Sequence, residues 1–452
     1  MVSILPTVIK EEISLENCIT KDFLDRCRTA WESDESGHQA ARAITKNGPL
    51  LGVMDVDVPR RLPFTFSVDV WDEGVTDQGE SLRCWAFASL NVVRQSISEN
   101  LNLAEKNFEL SQNFTYFYDQ LEKSAKFLEN VCRNFDKPLR SPAMLQMLRQ
   151  PIMDNGQWFV FAPLAKKYGV VPKFVMPDTQ CSPDTKYVTR ILSDKLRYAA
   201  HALRQAHEQG AGDETIQSIK ERELTGVYGI LCRFLGQPPA TFDFPYKTKD
   251  GQFKTLKNIT PLEFFALARM DVEEYMTIIH HPVPHCPYGK TYTENQDGTD
   301  DMSKMLNLDI DTIKKLVIAQ LQGGQQVVMG CDVAKQSHKP SGYMHAQLYD
   351  YEKAFGTPMM LSKTDRILYK GTSATHVMTF SGVSLDENQK PLRWKVHNSY
   401  GDSMGIHGHY VMDDSWFDEY VLSVVIRKKY APEEIVRAYE QKPEIMAPGE
   451  LY

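Results

Sequence analysis

The chain has 452 residues, 42% of them apolar and 24% charged, with a formal net charge of −8. Such a length supports a large core divided into two or three subdomains, and an acidic balance without a strong basic run argues against nucleic acid as the main partner. Eight scattered cysteines with no CxxC pair read as reduced thiols of a cytoplasmic protein, and no signal peptide or apolar run of the ~18 residues needed to span a bilayer is expected.

Residues 1–65 read as a helical lead-in, with apolar residues at Leu15, Cys18, Phe23 and Leu24. Pro59-Arg60-Arg61-Leu62-Pro63 is expected to break any helix there, and Phe66 to Val70 alternates like a short strand. Gln78-Gly79-Glu80-Ser81-Leu82-Arg83-Cys84-Trp85-Ala86-Phe87-Ala88 then opens a helix that is apolar all round and therefore buried. Cys84 stands at its start. The first N–H groups of a helix lack intrahelical partners and carry partial positive charge, which favours thiolate and can lower a cysteine pKa from ~8.5 into the range ~3.5–7.5. Gln78 can bring amide donors to the same point, an arrangement suited to acyl transfer through a tetrahedral oxyanion.

A second helix is expected from Ser111 to Asn134, and two more between 184 and 236, with Asp213 as an N-cap and Gly236 just past the end. After a helix from Asp309 to Gln322 the pattern turns to strands: Gln326 to Met329, Thr375 to Val383, Arg393 to Val396, His409 to Met412 and Leu422 to Ile426. Helices followed by strands imply an α+β fold with a cleft between the layers.

The base candidate for Cys84 is His376, in Ala374-Thr375-His376-Val377-Met378. Asn398 ends a later strand, where its carbonyl can accept from one imidazole nitrogen and leave the other facing a thiol. His397 points to the opposite strand face and ranks below His376. Metal readings are set aside: His280-His281-Pro282-Val283-Pro284-His285-Cys286 suits a loop, His407-Gly408-His409 lies on an expected turn, and Asn295-Gln296-Asp297-Gly298 fails the calcium-loop template.

Gln78–Cys84-Trp85, Thr375-His376-Val377-Met378 and Val396-His397-Asn398-Ser399-Tyr400-Gly401 together resemble the papain-like cysteine peptidases. His376 lies 292 residues and Asn398 314 residues beyond Cys84, against the ~130–150 of the papain type. The surplus matches a large insertion, and Asp154-Asn155-Gly156-Gln157-Trp158 and Trp416-Phe417-Asp418-Glu419-Tyr420-Val421 extend the resemblance to the bleomycin hydrolase and aminopeptidase C branch.

The resemblance implies a papain-like two-subdomain fold: a helical left half with the buried nucleophile helix, an antiparallel β-rich right half, and a large helical insertion. Residues 66–183 would form the left subdomain, 184–308 the helical insertion and oligomerisation region, 309–431 the right subdomain and 432–452 a C-terminal arm. It also implies a cytoplasmic aminopeptidase acting on peptides, assembled as a homohexamer, with no cofactor and no membrane association. Cys84 would be the nucleophile, His376 the base and acid, Asn398 its orienting partner, and Gln78 with the Cys84 N–H the oxyanion hole.

Gly156 matches a substrate-contacting glycine, and Asn155 replaces the glycine before it. Leu82 replaces a glycine beside the substrate, and Tyr400 a tryptophan that shields the Asn–His bond. The arm's last residue, Tyr452, would meet the substrate amine. The arm looks shorter than usual, which keeps an endopeptidase reading open, and a hexameric scaffold or nucleic-acid-binding protein with impaired catalysis is the alternative outside peptidases.

Overall fold

The computed structural model describes residues 19–70, 72, 74–294 and 303–451. The expectations for Leu15, Cys18, the 295–298 turn and Tyr452 therefore fall outside the described residues. Two compact units are present. One comprises the residues up to Val56 together with 347–360. Its helix Lys21–Glu32 starts where Thr20 accepts the Phe23 N–H, and Glu35–Asn47 starts where Asp34 accepts from Gly37. Short hydroxyl and carboxylate side chains at these positions satisfy N–H groups that a helix start leaves unpaired. A short helix, Tyr351–Phe355, joins this unit from far along the chain.

The other unit holds residues 57–346 and 361–452. Near its start a one-turn helix, Val58–Arg61, forms where a helix break was expected, with Pro59 in the first turn. Proline is harmless there, because its missing N–H would have no partner anyway.

The helix Cys84–Leu101 is buried continuously from Trp85 to Gln95, as its all-round apolar surface predicts, and Asn102 ends it in the left-handed conformation. Beside it lie Gln112–Arg133, capped by Ser111, and Trp158–Tyr168. Two long helices, Lys186–Glu208 and Asp213–Leu235, follow. The N-cap of the second is Gly212, so Asp213 sits inside the first turn, where a carboxylate still suits the helix dipole.

The expected helical insertion over 184–308 is helical only in its first half. Phe242–Lys247 and Phe253–Ile259 form a two-stranded antiparallel sheet, and Tyr275–Ile279, Thr291–Thr293 and Met305–Asn307 join the large sheet. Among the described residues that sheet has twelve strands. Its centre is an antiparallel run in the order Tyr275–Ile279, Val421–Arg427, Val327–Cys331, His376–Leu385, Pro391–His397 and His409–Asp413. The register opposes His376 to Cys331 and His397 to His409.

Separate apolar cores pack on the two layers. Trp85, Phe114, Phe117, Trp158 and Phe161 belong to the helical core, and Phe380, Trp394, Trp416 and Phe417 to the sheet core. Among the described residues no helix is long and apolar enough to cross a membrane.

Burial also makes the fold sensitive to acid. Loss of hydration pushes His280 down to about 3 and His281 and His376 down to about 4, from an ordinary 6.5. The unfolded chain therefore takes up protons first on acidification. The stability contributed by these groups is complete above about pH 6.5 and is lost as pH falls towards about 4. Asp119, raised by burial to about 6, works in the opposite sense as a single group. Tm is expected to fall across that window, and a Tm that rises on acidification would contradict the account.

Candidate active site

Cys84 is the first residue of its helix and is partly buried. The turn before it is built from side chains. Arg83, wholly buried, donates through Nε to Ser81 Oγ at 3.1 Å, and through its two terminal nitrogens to Asn113 Oδ1 at 3.2 Å and Ser182 O at 2.6 Å. Gly79 adopts φ +59°, and a Cβ there would lie 2.7 Å from Pro183 O, so only glycine fits the bend.

The next residue is held as firmly. Trp85 Nε1 donates to Asp154 O at 2.8 Å, while the Asp154 carboxylate accepts from the Tyr116 hydroxyl at 2.7 Å and from Thr185 Oγ1. Gly156 lies on the Trp85 indole, where a Cβ would approach the ring to 2.7 Å. Gly156→Ala is thus expected to move the Asn155–Gln157 loop off Trp85 and lower Tm by several degrees, in the range of overpacking costs of ~1–3 kcal/mol. An unchanged Tm would show that the loop yields freely.

The backbone N–H of Val377 lies near enough to favour the Cys84 thiolate, which puts the sulfur by the strand that begins at His376. His376 Nε2 is 2.9 Å from Asn398 Oδ1, and the same Oδ1 accepts the Ser399 N–H at 2.7 Å. The amide oxygen is thereby aimed from both sides, and the imidazole is left with Nδ1 as its second nitrogen.

Tyr400 stacks on His376, with ring centroids 4.7 Å apart and planes 12° from parallel. The Lys339 ammonium lies 3.7 Å from the centre of the Tyr400 ring. Gln78 closes the group: its N–H donates to Ser399 O at 2.9 Å, its Oε1 accepts from Ser399 Oγ at 2.7 Å, and its Nε2 donates to Ser81 O at 2.6 Å. The second Nε2 hydrogen remains for another acceptor.

The electrostatics differ from the sequence expectation. Burial is the largest influence on Cys84 and pushes the thiol up to about 11, against the N–H groups of Val377, Trp85 and Cys84 itself, which favour thiolate. The helix start alone therefore does not ionise the sulfur. Burial likewise holds His376 near 4, opposed by its bond to Asn398 and assisted by Lys339. Each group alone is uncharged at neutral pH. A proton passing from sulfur to imidazole creates two opposite charges together, and these offset each other's lost hydration.

A cavity of about 820 Å³ is lined in part by Asn155, Gly156, Gln157, Glu294, Ser373 and Ala374, and so reaches within two residues of His376. Leu82, expected beside the substrate, is 65% exposed and does not line it. His397 faces Asp72 and His409. Sequence reasoning missed Arg83, Ser399 and Lys339. The first two sit next to recognised motif residues, whereas no local signal marks Lys339.

A buried thiol helix packed on an antiparallel sheet, with an Asn-held imidazole at the start of the strand nearest the thiol, defines the class of papain-like cysteine peptidases. A model of the Peptidase C1-like family matches residues 18–450, and the chain belongs to that family. Its similar proteins include aminopeptidase C of Streptococcus thermophilus, 34% identical over 95% of this chain and 97% of that protein. Aminopeptidase C of Lactococcus lactis subsp. lactis is 35% identical over 95% of this chain and 98% of that protein. A crystal structure of PepW from Lactobacillus rhamnosis HN001 superposes with a TM-score of 0.90 at 36% identity, covering 95% of this chain and 97% of that one.

Proposed function

We propose that this chain is a cysteine-type aminopeptidase that removes N-terminal residues from peptides. The observation that carries the reading is the His376 Nε2–Asn398 Oδ1 bond, on a strand whose next residue, Val377, acts on the Cys84 thiol at a helix start. Cys84 passes its proton to His376 and attacks the scissile carbonyl. The oxyanion receives Gln78 Nε2 and the Cys84 N–H. His376 then protonates the leaving amine, and water, activated by the same imidazole, releases the acyl group. Gly156 and Asn155 present backbone to the substrate in the cavity.

Support for action at a free amine comes from the full-length similarity to proteins named aminopeptidase C. The arm adds to it. Glu444–Ile445 pairs with Thr291–Thr293, Leu451 is buried, and its N–H donates at 2.8 Å to Glu294, a residue of the cavity wall. The test compares an aminoacyl amide bearing a free amine with its N-blocked counterpart. Faster hydrolysis of the free amine is expected, and preference for the blocked one would transfer the reading to an endopeptidase. A cytoplasmic location is part of the proposal, supported by seven free cysteines among the described residues. So is a homohexamer without nucleic acid, and a monomer in sedimentation would reject that assembly.

A further inference from the structure

Away from the thiol, three side chains from distant parts of the chain converge: Asp72, His397 and His409 each offer a ligand atom within 4.8 Å of the others. His397 and His409 are opposed across neighbouring antiparallel strands, and their rings are 4.9 Å apart. His409 Nδ1 lies 2.8 Å from His407 O, so it carries the proton and its Nε2 bears a lone pair. That Nε2 sits 2.8 Å from Asp72 Oδ2, the distance of an ion pair when the imidazole is protonated. Two acceptor atoms so close repel unless a proton or a cation lies between them.

His397 adds an independent observation. It is only 1% exposed, and neither ring nitrogen has a hydrogen-bond partner among the described residues. A buried imidazole with both nitrogens unmet is costly. We propose that Asp72, His397 and His409 form a binding site for a divalent transition-metal ion of the zinc type.

The donor set of two imidazoles and one carboxylate suits such an ion, and the backbone carbonyl on His409 Nδ1 is the kind of outer contact that orients a ligating imidazole. Metal–ligand bonds of ~2.0–2.1 Å place tetrahedral ligands roughly 3.3 Å apart, so the widest separation must close by about 1.5 Å. The positive charges of Arg94 and Lys395, which act on His397, oppose a cation, and the Asp72 and Asp69 carboxylates offset them. Lys395, now 3.0 Å from Asp72 Oδ2, is also held at 2.8 Å by Asp69, and so keeps a carboxylate when a cation takes Asp72.

Bound metal would tie together the ends of two strands, one of which leads directly into Asn398. That consequence rests on the proposed role of Asn398; metal binding itself does not, so the two fail separately.

The test uses the full-length protein, stripped with chelator and titrated with Co²⁺. One equivalent is expected, with the visible bands of a four-coordinate nitrogen and oxygen site and no thiolate-to-cobalt charge transfer. His409→Gln, at a partly exposed position, and Asp72→Asn are each expected to weaken binding about tenfold or more. Zn²⁺ should raise the Tm of the parent and not that of His409→Gln. Absence of stoichiometric Co²⁺, a thiolate band, or equal binding by the variants would overturn the proposal and leave an imidazolium–carboxylate ion pair at Asp72 and His409.

Discussion

Cys84→Ala is expected to reduce peptide hydrolysis to background, a loss on the order of 10⁶ in kcat as for removal of other enzymatic nucleophiles. No other described thiol can substitute. Cys331, opposite His376 in the neighbouring strand, is fully buried, and burial holds its thiol well above the usual range. The fold should survive. Alanine is the best helix former, and the helix is anchored by Arg83 and Trp85 rather than by the sulfur. The checks are turnover, circular dichroism and labelling with a thiol-directed epoxide. Activity within tenfold of the parent, or unchanged labelling, would remove Cys84 from the chemistry.

Gln78→Ala is expected to lower kcat by about 10²–10³, the usual cost of one oxyanion donor. The amide also spans two segments, accepting from Ser399 and donating to Ser81. Gln78→Glu keeps the shape and the bond from Ser399 but cannot donate to Ser81, so Tm is read beside turnover to separate the two roles. An oxyanion role predicts a loss of kcat beyond any change in Tm, because a carboxylate beside the developing negative charge repels it. Recovery of turnover in Gln78→Glu would refute the assignment, and a kcat loss at unchanged Tm would support it.

The parts of this molecule legible in its sequence are those whose signals are local. Gln112–Arg133 could be delimited because Ser111 caps an amphipathic run, and His376–Leu385 because strand residues follow a loop. The strand Tyr275–Ile279 was missed because all five of its residues are buried, which leaves no alternation to read. The inclusion of 347–360 with the first helices depends on contacts between remote segments.

At the site the motif residues Gln78, Cys84, His376 and Asn398 could be named in order. Their ionisation could not, since burial rather than the helix terminus dominates Cys84. His407-Gly408-His409 looked inert along the chain, and only sheet register reveals that His409 faces His397.

Among the described residues the large sheet ends on both sides in strands of two residues, Glu444–Ile445 and Ser337–His338. A rim this short presents few unsatisfied backbone groups, so a neighbouring polypeptide finds almost no template on which to add itself as another strand. The same arm that reaches Glu294 thereby guards the flank of the sheet against sticking to extended peptides, the very material a peptidase meets at high concentration.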